Sequence, residues 1–252
     1  MSTSGTLLIA IPSHNRGNVI LDVIDAAIVA GQQAQERLID DFLIYVYLND
    51  NTDDTPNLID RHEFPEGVKE PIIEEKMFGV KDRFDGEYRN KFIRAVMCQK
   101  YNRCIDLGEA FDYMVMVSSD HIVAPNCIRS MIAASLYLHA DVVGPVIDST
   151  PHNKNTNLYR RKPSGLYGRV EIAPNTRPFR INKDQSVPAN LLWTQKACKS
   201  GVRYDLGESV MDKTLFEHRM VERLMEAGLV VGFDTLTTVK HLVAQWTHDE
   251  ER

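Results

Sequence analysis

Cysteine is scarce in this chain. It occurs four times, as Cys98, Cys104, Cys127 and Cys198, and no pair has CxxC spacing. No histidine cluster lies beside them, so a zinc site is not expected, and the thiols read as reduced, as in a cytoplasmic protein. Long apolar runs are missing as well. The one near the N-terminus stops at Pro12 and has no basic segment before it, which is too short for a signal core or a membrane span. The expectation is a soluble cytoplasmic protein with no transmembrane segment, still able to act on something membrane-bound. A basic excess is absent too. Twenty-nine Lys and Arg face 35 Asp and Glu, a net charge of -6, so no nucleic-acid partner is expected. There is no internal repeat and no low-complexity tract.

What remains is an ordinary globular composition, 43% hydrophobic and 25% charged over 252 residues. That is enough apolar material for a core without disulfides. Leu7 to Ile11 is a short continuous apolar run, the pattern of a parallel strand buried on both faces. Ile20, Val23, Ile24, Ala27 and Ile28 follow at helical spacing, with Gly31 as a stop. Phe42 to Leu48 reads as the next strand. Thr55 then suits an N-cap and Pro56 a first helical position. Strand, helix, strand, helix implies a parallel sheet covered by helices. Further strands are expected at Pro71–Glu75, Tyr113–Val117 and Asp141–Val146, and helices at Glu87–Leu107 and from Pro125 to Leu138. From Asp148 to Val187 the chain is polar and aperiodic, with Arg160, Arg161, Lys162, Arg169, Arg177, Arg180 and Lys183. Order returns at Ala189–Thr194. A helix from Ser209 to Ala227 and two extended segments, Leu229–Phe233 and Thr237–Leu242, close the chain.

In open parallel sheets, ligands bind beyond the carboxyl ends of the strands. Three polar clusters sit at such ends: His14-Asn15-Arg16, Asn49 to Asp54, and Ser118-Ser119-Asp120-His121. Each alone is ordinary turn chemistry. Together, on parallel strands, they converge on one crevice.

These segments resemble the GT-A glycosyltransferases, in particular the large inverting, family two-like group with processive and non-processive members. Ile11 to Asn15 is similar to the end of that family's first strand. Leu48 to Thr55 resembles its "DDGSTDGT"-like turn, one residue shorter. Tyr101-Asn102-Arg103 and Phe111 to Asp120 resemble the approach to its metal-binding DxD, with Ser118 at the first DxD position. Leu191-Leu192-Trp193, Gly201 and Tyr204-Asp205 look like the acceptor-side segment, and Ala227 through His241 like the closing strands. The resemblance implies one α/β domain over 1–252 with a Rossmann-like, mostly parallel sheet. Residues 1–147 would bind the nucleotide sugar and 148–252 the acceptor.

The implied activity is sugar transfer from a UDP- or GDP-sugar to a hydroxyl of a glycan, a lipid-linked molecule or another acceptor. Donor-site residues would be Pro12, His14, Asn15, Asp50, Asn102, Ser119 and Asp120, with Asp50 at the base. A Mn2+ or Mg2+ ion on Asp120 and His241 would offset the diphosphate charge; His121 competes for that place. An inverting transfer needs a general base. Asp212 fits the start of the late helix, Glu217 fits when counting back from Gly228, and Glu208 is a third candidate. Trp193 would stack on a sugar or fill the core. Three alternatives stay open: a retaining GT-A enzyme, a sugar nucleotidyltransferase, and a non-catalytic binding module with a degenerate DxD. A nucleotidyltransferase would carry a Gly-rich basic loop after the first strand. A binding module would follow from Ser118.

Overall fold

The computed structural model describes residues 5–79, 91–148, 157–164, 167–172, 176–206 and 216–242. The first half runs β1 (Thr6–Ser13), α1 (Ile20–Gln35), β2 (Asp41–Asn49), α2 (Thr55–Asp60), β3 (Ile72–Lys76), α3 (Lys91–Gly108), β4 (Tyr113–Met116), β5 (His121–Val123), α4 (Cys127–Leu138) and β6 (Val142–Asp148). The second runs β7 (Tyr159–Arg161), β8 (Tyr167–Arg169), β9 (Phe179–Arg180), β10 (Gln185–Ser186), β11 (Leu192–Thr194), α5 (Gln195–Cys198), α6 (Phe216–Glu226) and β12 (Val231–His241).

The main sheet has the order β3-β2-β1-β4-β11-β6-β12-β5, with β9 also paired to β12. β1 is parallel to β2 and β4, β2 to β3, and β6 to β12. β11, β5 and β9 run antiparallel to their neighbours. The architecture is thus the mixed, mainly parallel α/β sheet expected. Strands from both halves of the chain share it, because β11 inserts between β4 and β6.

Both faces of the sheet are covered. Leu7, Ile9 and Ile11 of β1 join α1 and α4 in one core. Leu8 and Ala10 join α3, α5 and α6 in the other. This is why β1 reads as an unbroken apolar run rather than an alternating one. Trp193 belongs to the second core and is fully buried.

Several local expectations change. Gly31 does not stop α1, which continues to Gln35. A Cβ at Gly31 would stand 2.8 Å from the Phe42 ring, so this glycine lets α1 lie close against β2. Thr55 is not the cap of α2. Asp54 holds that position, and the Thr55 hydroxyl instead accepts the Arg16 N–H at 2.9 Å. The two closing segments form the single strand β12, with a register shift between Asp234 and Thr238. The aperiodic stretch contains a small three-stranded sheet, β10-β7-β8. Residues 87–90 and 209–215, expected to be helical, lie outside the described residues.

Candidate functional site

Two turns at the carboxyl ends of β1 and β2 are laced together. The N–H groups of Asn15, Arg16 and Gly17 donate to Asn51 Oδ1 (2.8 Å), Thr55 Oγ1 (2.9 Å) and Asp53 Oδ2 (2.9 Å). Asn15 Oδ1 in turn accepts from Thr52 N–H at 2.8 Å. Asn15 and Asp50 both take positive φ, 47° and 46°, which Asn and Asp tolerate better than most residues. The turn after β1 therefore has its amides engaged by side chains. It is not an open cradle for phosphate of the kind a nucleotidyltransferase loop would offer.

The lacing presents His14 and Arg16 to a cavity of about 260 Å³. Pro12, Lys100, Ser118, Ser119, Asp120, His121, Asn190, Tyr204, Glu217 and His241 also line it. His14 Nδ1 donates to the Asn49 carbonyl at 2.7 Å, because a carbonyl only accepts. That leaves Nε2 as the acceptor nitrogen. Burial lowers the His14 pKa, so the ring is held neutral.

At the other end of the cavity, β5 pairs antiparallel with β12 so that His121 and His241 are direct partners. Their rings stack with centroids 4.3 Å apart and planes 9° from parallel. Asp120, one residue before His121, places Oδ1 at 3.0 Å from His121 Nδ1 and Oδ2 at 3.7 Å from His241 Nε2. Arg16 Nη2 lies 3.6 Å from the same carboxylate. Burial opposes ionisation of Asp120, but the two neighbouring imidazoles and the Arg16 charge prevail and hold its carboxyl well below the usual range. Burial likewise depresses the His121 pKa. One ligand atom from each of Asp120, His121 and His241 falls within a 4.8 Å span. An anionic carboxylate with two imidazoles is a chemically sound set for a divalent transition ion.

Pro12, His14, Ser119, Asp120 and His241 all line this one cavity, and His121 joins them. Three expected donor-site residues are placed elsewhere. Asn15 serves the lacing just described. Asp50 is 1% exposed, and its Oδ1 accepts the N–H groups of Phe78 and Gly79, both at 2.7 Å; it closes the turn after β3. Asn102 exchanges two hydrogen bonds with the Tyr204 backbone, at 2.9 and 2.6 Å, and so positions Tyr204 rather than lining the cavity itself.

Of the three carboxylates considered as base, Asp212 and Glu208 lie outside the described residues. Glu217 sits in the first turn of α6 as described and lines the cavity. Its Oε2 is buried without a hydrogen-bond partner, and burial pushes its pKa up to about 7 despite the nearby Arg94 charge. The basic residues of the polar stretch do not reach the cavity. Arg161 pairs with Glu222, Arg160 with Asp184, and Arg180 donates to the Leu138 carbonyl at the end of α4.

Sequence reasoning missed Lys100 and Asn190. Lys100 follows no recognisable spacing; only its place on the inner face of α3 reveals it. Asn190, at φ 51°, accepts the Ser118 N–H at 3.0 Å and lies in the segment packed over Gly144.

No protein-family model matches the sequence, and no curated protein does. Solved structures do match in fold. Staphylococcus aureus TarS 1-349 superposes with a TM-score of 0.59 at 10% identity, covering 94% of this chain and 60% of that one. TarS 1-349 in complex with UDP gives 0.61 at 8% identity, covering 93% and 60%. GalNAc-T7 with UDP, GalNAc and Mn2+ gives 0.59 at 15% identity, covering 96% and 44%. The chain has the GT-A fold. It spans less than two thirds of the length of these GT-A structures. None of its described helices is long and apolar enough to cross a membrane.

Proposed function

We propose that the chain is a glycosyltransferase that moves a sugar from a nucleotide-diphosphate sugar to an acceptor hydroxyl, with inversion and with the help of a divalent metal. The observation that carries this reading is the meeting of Asp120, His121 and His241 with a buried carboxylate, Glu217, in one cavity at the carboxyl ends of the parallel strands. Donor sites of open α/β sheets lie there. The TarS structure with UDP and the GalNAc-T7 structure with UDP and Mn2+ support a uridine nucleotide and manganese.

Asp120, His121 and His241 would hold the metal. When bound, the ion supplies Lewis acidity to the diphosphate oxygens. Two imidazoles beside one carboxylate favour manganese over magnesium, which prefers an all-oxygen shell. Glu217 would take the proton of the acceptor hydroxyl as that oxygen attacks the anomeric carbon. Its pKa near 7 suits a group that must be ionised before the reaction and able to hold a proton after it. His14 and Arg16, fixed by the laced turns, would line the donor side.

A panel of UDP- and GDP-sugars tests the proposal, read by donor hydrolysis and by thermal shift with and without Mn2+. Stabilisation by one nucleotide family and slow hydrolysis of its sugar are expected. A protein stabilised by no nucleotide under either condition is not a transferase of this kind.

A further inference from the structure

Lys100 is a cation in an unusual place. It lies on α3, is 7% exposed, and lines the same cavity as Arg16 and Asp120. Among the described residues it has no hydrogen-bonded partner and no ion pair. Burial draws its pKa down to about 8, while the charges of Asp50 and Asp120 act against that. It therefore stays mostly protonated at pH 7. A buried ammonium without a partner is costly. A second unpartnered donor lines the same cavity: Asn190 is 4% exposed, its Oδ1 is engaged by Ser118 N–H, and its Nδ2 has no partner. A cation and an amide donor left unsatisfied in one cavity are complementary to a polyanion.

Ser118 makes the same point by charge. Where a DxD would place two carboxylates lining the cavity, this chain has one, Asp120, facing Arg16 and Lys100.

We propose that Lys100, Arg16 and Asn190 form a diphosphate subsite, so that the charge of the departing nucleoside diphosphate is met by this chain's own side chains as well as by a metal at Asp120. The inference rests on the transferase reading above. In that transfer, the bond from the anomeric carbon to the β-phosphate oxygen breaks with its electron pair staying on the oxygen. The acceptor oxygen bonds the carbon, and its proton passes to Glu217. The diphosphate gains one negative charge in this step. Lys100, buried in the cavity wall, would meet that charge.

The test is calorimetric binding of UDP and GDP, with uridine and guanosine as phosphate-free controls, in EDTA and then in Mn2+. The wild-type protein is expected to prefer the diphosphate over its nucleoside even in EDTA. Lys100→Met should weaken diphosphate binding in EDTA by about 10- to 100-fold, the range for a charge-assisted hydrogen bond, and leave nucleoside binding in place. Lys100→Gln provides a second, neutral and more polar variant, and circular dichroism checks that each is folded. Unchanged diphosphate affinity in a folded variant, or equal loss of nucleoside and diphosphate, overturns the subsite. A wild-type protein that binds neither nucleotide with or without Mn2+ overturns the transferase reading instead, and the subsite with it.

Discussion

His241 of β12 stacks on His121 of β5 because the two are opposed residues of one antiparallel ladder, with ring centroids 4.3 Å apart. The distance in sequence between them is large, yet one strand pairing brings both imidazoles to Asp120. If these three hold manganese, His121→Ala and His241→Ala should each lower Mn2+ affinity at least about tenfold, or about 1.4 kcal/mol. Manganese electron paramagnetic resonance reads this directly. Equal Mn2+ binding in both variants would remove the metal site from the account.

Glu217 predicts opposite effects on activity and stability. Glu217→Gln should reduce kcat by about 10²- to 10⁴-fold, as for loss of a general base. In the wild type, kcat/KM should rise with pH through about 7 as Glu217 ionises. The stability sign is the reverse. A raised carboxyl pKa means that the folded state holds the proton more tightly, so this group's contribution is full at low pH and is lost as pH rises through 7. At pH 8 the Gln variant should melt a few degrees higher than wild type. Asp212→Asn is the companion measurement, and an inactive Asn variant beside an active Gln variant would transfer the role to Asp212.

Asn15→Ala should destabilise the protein by about 2–3 kcal/mol. It removes the acceptor for the Thr52 and Asp53 amides and leaves at φ 47° a residue that tolerates this conformation less well than Asn. Asn15→Gly restores the backbone freedom but not the hydrogen bonds, so its loss should be smaller by about 1 kcal/mol. Urea melts separate the two contributions, and identical midpoints for Ala and Gly would show that the positive φ carries no strain.

Gly144 lies on β6 beneath the segment that carries Pro188 to Leu191. A Cβ there would collide with Val187 Cγ1. Gly144→Ala should therefore cost about 1–3 kcal/mol through overpacking and weaken nucleotide binding, because Asn190 moves with that segment. A variant with lowered Tm but unchanged nucleotide affinity would show that the strain relaxes away from the cavity.

Much of the fold was legible in the chain itself. The apolar runs of β1, β2 and β4 and the periodic faces of α1 and α4 are local patterns, and local patterns report burial. Gly31 misled because a glycine in sequence cannot say whether it ends a helix or admits a neighbour's ring. β5 was missed because three residues beginning at a turn carry no period of their own.

At the site, residue type and position at strand ends pointed to His14 and Asp120, and the family resemblance pointed to His241; all three line the cavity. Those properties travel with the sequence, since a carboxylate after a buried strand stands at the sheet's carboxyl edge whatever surrounds it. Which polar groups face the cavity was decided only by tertiary packing. Asp50 and Asn102 have the same chemistry as the residues that line the cavity, yet the turn after β3 engages one and the Tyr204 backbone engages the other. Lys100 has no motif, and only the docking of α3 against the sheet buries its ammonium beside Arg16 and Asp120. Hydrogen bonding and desolvation depend on neighbours distant in the chain, so the sequence determined which strand ends carry polar clusters and the folded structure decided which of those side chains face the cavity.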